Sequence, residues 1–202
     1  MRDRYIIVDD FYDNPDELVK VALGSMNEED SPTGNYAGVM TTEAFFGPQH
    51  SEIFKQLTQE PSIGSSTNAN GRLRFTRAND SFKMHIHFDV ENTTRWAGVV
   101  YLSKEHPVTD GTSFWKHRRT GLEAAPNTVE GFAEHGWSSF SDFKKFLEEE
   151  GLDESLWEKT FTVPYKYNRL VLFRPWLLHS PGPSFGDTLE SCRIVQTLFL
   201  GN

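Results

Sequence analysis

Apolar and polar positions alternate in some stretches of the chain and recur at helical spacing in others. Tyr5-Ile6-Ile7-Val8 is a short, β-branched apolar run closed by Asp9-Asp10, which predicts a strand. Asn14 then precedes Pro15, Asp16 and Glu17, an N-cap followed by a first-turn proline and acids. A helix is expected from there to about Gly24, with Leu18, Val19 and Ala22 on its inner side. Residues 27–42 are polar with Gly and Pro and read as loop, and residues 48–58 place Ile53, Phe54 and Leu57 at helical spacing. Residues 59–71, rich in Ser, Asn and Gly, read as exposed loop.

The period then changes. Leu73-Arg74-Phe75-Thr76-Arg77 alternates as a strand, Asn79-Asp80 reads as a turn, and a further strand is expected over residues 81–89. The apolar run 96–102 predicts a strand covered on both faces, and residues 111–115 a short one after it. Residues 116–160 break the pattern, with a helix from about Asp142 to Glu150 between Ser141 as cap and Gly151, and a short helix over 153–158. Strands resume at 168–174 and 192–200. Helices first and many strands after them argue for a mainly β, antiparallel core with flanking helices.

Length and composition narrow the function. A chain of 202 residues fits one domain, with an N-terminal helical part over about 1–60 and a partly helical insertion over about 116–160. Aromatics make up 13 %, with 16 Phe, which suits a β-rich core. The net charge of −9 and the lack of a basic stripe beyond Lys116-His117-Arg118-Arg119 argue against nucleic acid as a partner. One cysteine, Cys192, excludes an internal disulfide, and no stretch approaches the ~18 apolar residues of a membrane span. A soluble cytoplasmic protein is expected, in an oligomeric state the sequence leaves open.

The candidate chemistry lies in Met84-His85-Ile86-His87-Phe88-Asp89. In an extended chain His85, His87 and Asp89 share one face, and His87 and Asp89 stand roughly 6.5 Å apart along it. An imidazole and a carboxylate so placed can converge on one metal ion. The third ligand must come from elsewhere, and His179, after the run Leu170-Val171-Leu172-Phe173, is the candidate. Two histidines and a carboxylate on one side of a metal form the facial triad of non-haem Fe(II) oxygenases. His85 is the rival ligand, but Asp89 would then be ~13 Å away along the strand, so His85 is assigned to the pocket wall. His50, His106, His117 and His135 stand in loop-like or polar contexts and are not candidates.

Taken in order, these elements resemble the Fe(II)/2-oxoglutarate-dependent dioxygenases, particularly the prolyl-hydroxylase-like branch. His87-Phe88-Asp89 after the Asn79-Asp80 turn matches the HxD motif, and Arg95 through Tyr101-Leu102-Ser103 is similar to the Arg…Tyr-Leu-Asn strand. Asp110-Gly111-Thr112-Ser113-Phe114 is similar to the Gly-Gly-x-x-Phe strand, with Asp in place of the first Gly. Residues 168–173 resemble the strand leading to the distal histidine, and His179, Gly186 and Arg193 the closing His…Gly-x-Arg segment.

The resemblance implies a double-stranded β-helix, a jelly-roll barrel. It implies His87, Asp89 and His179 as metal ligands, Fe(II), 2-oxoglutarate and O2 as cofactor and cosubstrates, and ascorbate as a supporting reductant. Arg193 is the expected partner of the C5 carboxylate of 2-oxoglutarate, with Tyr101 donating to the same group. Arg193 lies 14 residues after His179, longer than the shortest family spacing, and Arg174 and Arg77 are alternative anion-binding cations. Trp115 and Arg118 are placed at the substrate mouth. The reaction implied is hydroxylation of a small-molecule, amino-acid or peptide substrate with release of succinate and CO2, since Asp89 occupies the position that halogenation needs vacant. Two other readings stand beside it: a cupin-type metalloenzyme without 2-oxoglutarate, and a non-catalytic jelly-roll binding module.

Overall fold

Two antiparallel sheets form the body of the chain. The computed structural model describes residues 4–26, 36–60, 63–64, 67–81, 85–89 and 94–201. Along the chain these form β1 (Tyr5–Val8), α1 (Pro15–Leu23), β2 (Val39–Met40), α2 (Pro48–Thr58), β3 (Ile63–Gly64), β4 (Leu73–Thr76), β5 (Thr94–Tyr101) and β6 (Asp110–His117). There follow α3 (Val129–Ala133), α4 (Phe140–Glu150), a 3-10 turn (Glu154–Leu156), β7 (Trp157–Pro164), β8 (Leu170–Phe173), β9 (His179–Ser180) and β10 (Arg193–Gly201). The larger sheet runs β1-β8-β5-β10-β4-β2, with β3 added on β10, and the smaller runs β7-β6-β9. The class is mainly β with flanking helices, and the architecture is the jelly roll.

Alternation along each strand sorts side chains between two cores. Leu170 and Leu172 of β8, Trp96 of β5, Leu73 and Phe75 of β4 and Ile194 of β10 pack outward, where Ala22 of α1 and Phe54 of α2 cover them. Val171 and Phe173, Tyr101 and Val195 face inward against Phe114 of β6 and Val163 of β7. The outer face of the small sheet, with Trp115, Trp157 and Leu178, is covered by Phe143, Phe146 and Leu147 of α4. Burying each such side chain contributes about 1.5–3 kcal/mol, so α4 is held mainly by its three inward residues.

Caps fix the helix ends. The Asn14 side chain accepts the Glu17 N–H at the start of α1, as expected. At α4 the cap is Ser139, not Ser141: Ser139 Oγ accepts the Asp142 N–H at 3.3 Å while the Asp142 carboxylate accepts the Ser138 N–H at 2.8 Å. That two-way closure starts the helix before the position the apolar spacing suggests.

Other expectations are corrected. Residues 85–89 form no ladder; only His87 makes a bridge, to His179. The N–H groups of Ile86, His87 and Asp89 go to three different partners, Gly151, His179 and Pro175. The outward and inward alternation survives nonetheless: Ile86 and Phe88 pack on α4 and His87 and Asp89 turn to the interior. Residues 116–160 hold more than turns and one helix, namely the end of β6, α3, α4 and the start of β7, and the short helix at 153–158 is a 3-10 turn giving way to β7. The expected loop at 59–71 is packed where described, since Asn70 is buried and its Oδ1 accepts the Phe199 N–H at 2.9 Å. Part of that loop and residues 27–35 of the 27–42 loop lie outside the described residues.

Candidate metal centre

His87, Asp89 and His179 come together on the inner side of the small sheet. Each offers one ligand atom, and these atoms all lie within 4.8 Å of one another. The backbone makes this meeting: His87 N–H donates to the His179 carbonyl and His179 N–H to the His87 carbonyl, both at 2.8 Å. His179 belongs to β9, which pairs with β6 through Phe114 and Ser113, so the pair is anchored to the small sheet.

Further contacts set the ring orientations. Nδ1 of His87 lies 2.8 Å from the His85 carbonyl, and Nδ1 of His179 lies 2.8 Å from the Leu177 carbonyl. A carbonyl only accepts, so each Nδ1 carries the hydrogen and each Nε2 is turned to the centre. Nε2 of His87 lies 3.7 Å and that of His179 3.2 Å from the Asp89 carboxylate oxygens. Burial, reinforced by His179 and opposed by Asp89, pulls the His87 pKa down to about 4. His87 is therefore neutral at pH 7, the form that ligates. Burial pushes the Asp89 carboxyl up, but His179 and His87 beside it prevail and hold it below its ordinary value, hence ionised. The Phe173 ring, 4.4 Å from that of His179, and the Tyr36 ring, 4.9 Å from that of His87, keep water from the flanks.

The three donors open into a cavity of about 130 Å³ between the sheets. One water needs roughly 10–15 Å³ on this measure, so the space admits small ligands beside the three donors. Arg193 lines it and is only 4 % exposed. Its Nε has no hydrogen-bond partner, and no carboxylate among the described residues pairs with it. Burial lowers its pKa, against the neighbouring phenols of Tyr165 and Tyr101, yet an arginine keeps its charge.

The other expected positions fall elsewhere. Tyr101 is fully buried and stacked on Tyr165, and its hydroxyl donates to Thr112 Oγ1 at 2.9 Å and accepts the Thr112 N–H at 2.7 Å. Thr112, not Tyr101, lines the cavity. Arg174 is paired with Glu60 on both nitrogens and stands 3.8 Å over the Trp96 ring, and neither it nor Arg77 lines the cavity. Trp115 is buried with its indole N–H on Ser180, and Arg118 is exposed, so neither lines the cavity. His85 pairs with Glu154 at 2.9 Å, away from the three donors. His50 accepts the Gly47 N–H that opens α2, and His117 is buried against Glu150.

Arg74 and Tyr36 are among the lining residues that escaped the sequence reading. Arg74 alternates with Leu73 and Phe75, a pattern that ordinarily sends the polar residue to solvent. Here the apolar face meets the helices, and Arg74 turns into the interior. Tyr36 stands in a polar stretch with no periodic signal.

The chain has the fold of the jelly-roll hydroxylases. A solved structure of a prolyl 4-hydroxylase from Phytophthora capsici aligns with it at a TM-score of 0.52 and 16 % identity, over 98 % of this chain and 58 % of that one. The chain thus spans little more than half the length of that protein, and the likeness is one of fold. None of the curated proteins compared with the chain matches it. A family model matches residues 1–184, and the chain belongs to that family, DUF6445, described as of unknown function. No helix among the described residues is long and apolar enough to cross a membrane.

Proposed function

We propose that this protein is a non-haem Fe(II)- and 2-oxoglutarate-dependent oxygenase that hydroxylates a small-molecule, amino-acid or peptide substrate. One observation carries the reading. Two imidazoles and a carboxylate converge on one point of a cavity that also holds a buried arginine with no acidic partner among the described residues. The donor set fits ferrous iron, with three protein ligands leaving positions open. The unpartnered guanidinium fits a carboxylate, because a buried unpaired charge is costly unless a ligand meets it.

His87, Asp89 and His179 would hold the iron, and Arg193 would hold the far carboxylate of 2-oxoglutarate. The chemistry these groups supply when bound is decarboxylation of the oxo-acid by O2 to succinate and CO2, coupled to insertion of oxygen into a C–H bond. The chain supplies position and exclusion. The carbonyls of His85 and Leu177 lock both imidazoles, and Phe173 and Tyr36 shield them. Thr112 and Thr197 form part of the cavity wall.

The test is succinate release from 2-oxoglutarate by the protein supplied with Fe(II), O2 and ascorbate. Release that stops in Asp89→Ala and His179→Ala, with metal content falling from one equivalent to a small fraction, supports the reading. Full metal content with no succinate under any condition would sink it and leave a metalloenzyme that does without 2-oxoglutarate.

A further inference from the structure

A second guanidinium faces the same cavity. Arg193 pairs across the sheet with Thr76, and Val195 with Arg74, so the two arginines are diagonal neighbours on the inward face. Diagonal positions stand about 7–8 Å apart. Arg193 is buried, while Arg74 is part-buried beside Tyr36. The Tyr36 ring links it to the metal centre, 5.6 Å from the Arg74 guanidinium carbon and 4.9 Å from the His87 ring.

Arg74 is held in place without being neutralised. It donates to the Ala37 carbonyl at 3.0 Å and to the Met40 sulfur at 2.8 Å. Among the described residues no carboxylate pairs with it; burial lowers its pKa, the Tyr36 phenol opposes that, and the like charge of Arg193 adds to it. Two cations side by side in one enclosed space repel, and a folded chain keeps such a pair where ligands supply the anions.

Formal charges show which anion is missing. Resting on the oxygenase reading, the two guanidiniums and a divalent ion bring four positive charges, while Asp89 and 2-oxoglutarate bring three negative ones. One positive charge remains, and it is on Arg74. A monoanion closes the sum. Ala37, Ala69, Val99 and Phe199 line much of the rest of the wall, so the body of that monoanion is apolar.

We infer that Arg74 is a specificity residue that binds the carboxylate of the primary substrate, and that the substrate is a compact carboxylic acid with an apolar body. Arginine's planar fork takes a carboxylate through two parallel hydrogen bonds, which also fixes its direction relative to the metal centre.

The experiment is calorimetric titration of the full chain loaded with Mn(II), which binds without turnover. The probes are 2-oxoglutarate alone and then, with 2-oxoglutarate saturating, two matched pairs: N-acetyl-L-alanine with its amide and benzoate with benzamide. Wild type is expected to bind the acid of at least one pair about tenfold or more tighter than the amide. Arg74→Met should erase that preference while holding 2-oxoglutarate within about threefold of wild type, and Arg74→Lys should retain part of it. Arg193→Met should do the reverse, losing 2-oxoglutarate by about tenfold or more. Melting temperatures no more than about 4 °C below wild type establish that the variants are folded. Equal binding of acids and amides, no binding of either acid, or loss of 2-oxoglutarate in Arg74→Met overturns the inference. Failure of wild type to bind Mn(II) or 2-oxoglutarate sinks the oxygenase reading instead. The acid-over-amide preference of the metal-free chain, present or absent, then upholds or overturns Arg74 separately.

Discussion

At the scale of single residues, Arg193 shows how a site is kept at the expense of stability. The residue is 4 % exposed, and its Nε meets no acceptor among the described residues. Folding strips water from that charge and returns no acidic partner among the described residues. Arg193→Met, of similar length and without charge, should therefore raise the melting temperature of the chain without metal or 2-oxoglutarate, by about 2–4 °C for each kcal/mol recovered. Scanning calorimetry checks this, and a lower melting temperature would mean that the guanidinium is satisfied in the fold. The histidines present the opposite case. His87 and His179 each spend Nδ1 on a carbonyl two residues earlier in the chain. Their orientation is thus built into the backbone before any ligand arrives.

At the scale of elements, close approach and caps decide which strands and helices tolerate change. A Cβ at Gly98 would stand 2.3 Å from the Val171 carbonyl oxygen and 2.7 Å from Leu172 Cδ2, where β5 pairs with β8. Gly98→Ala should cost about 1–3 kcal/mol or more, read as a lower urea midpoint at unchanged slope. Ser139→Ala should cost about 1 kcal/mol by the same measurement, because the first N–H groups of α4 lose an acceptor. The elements that could be read in advance were those with a clear period or cap, such as α1 behind Asn14 and Pro15, and β8 with its apolar run. β7 was not readable, since Glu158, Lys159, Thr160 and Phe161 are all exposed and no alternation exists between Trp157 and Val163. α3 has five residues and buries none, so it has no apolar stripe to announce it. The meeting of His87, Asp89 and His179 was legible because alternation gives the first two a common face and a strand leads to the third. Arg74 was not, because alternation divides a strand into two faces without telling which one meets water.

At the scale of the whole molecule, an acidic chain of net charge −9 encloses a cavity whose two arginines outnumber its one carboxylate. Ligands that fill it bind the folded state and not the unfolded one, so they stabilise by mass action. With Mn(II) and 2-oxoglutarate at about 100 times their dissociation constants, the gain of about 2.7 kcal/mol for each site should raise the melting temperature by roughly 10–20 °C for the two together. Either ligand alone should give less, and His179→Ala should abolish the Mn(II) component. Thermal denaturation followed by circular dichroism decides the matter.

Among the described residues β7, an edge of the small sheet, pairs on one flank only, and open flanks are where foreign chains add themselves. On β7 that flank is guarded by Glu158 and Lys159 side by side, with Pro164, which cannot donate to a ladder, at its end. Charges in mid-strand and a terminal proline make the flank a poor template for edge-to-edge stacking. Replacing those two charges by valine or isoleucine should therefore make the flank a better template for stacking.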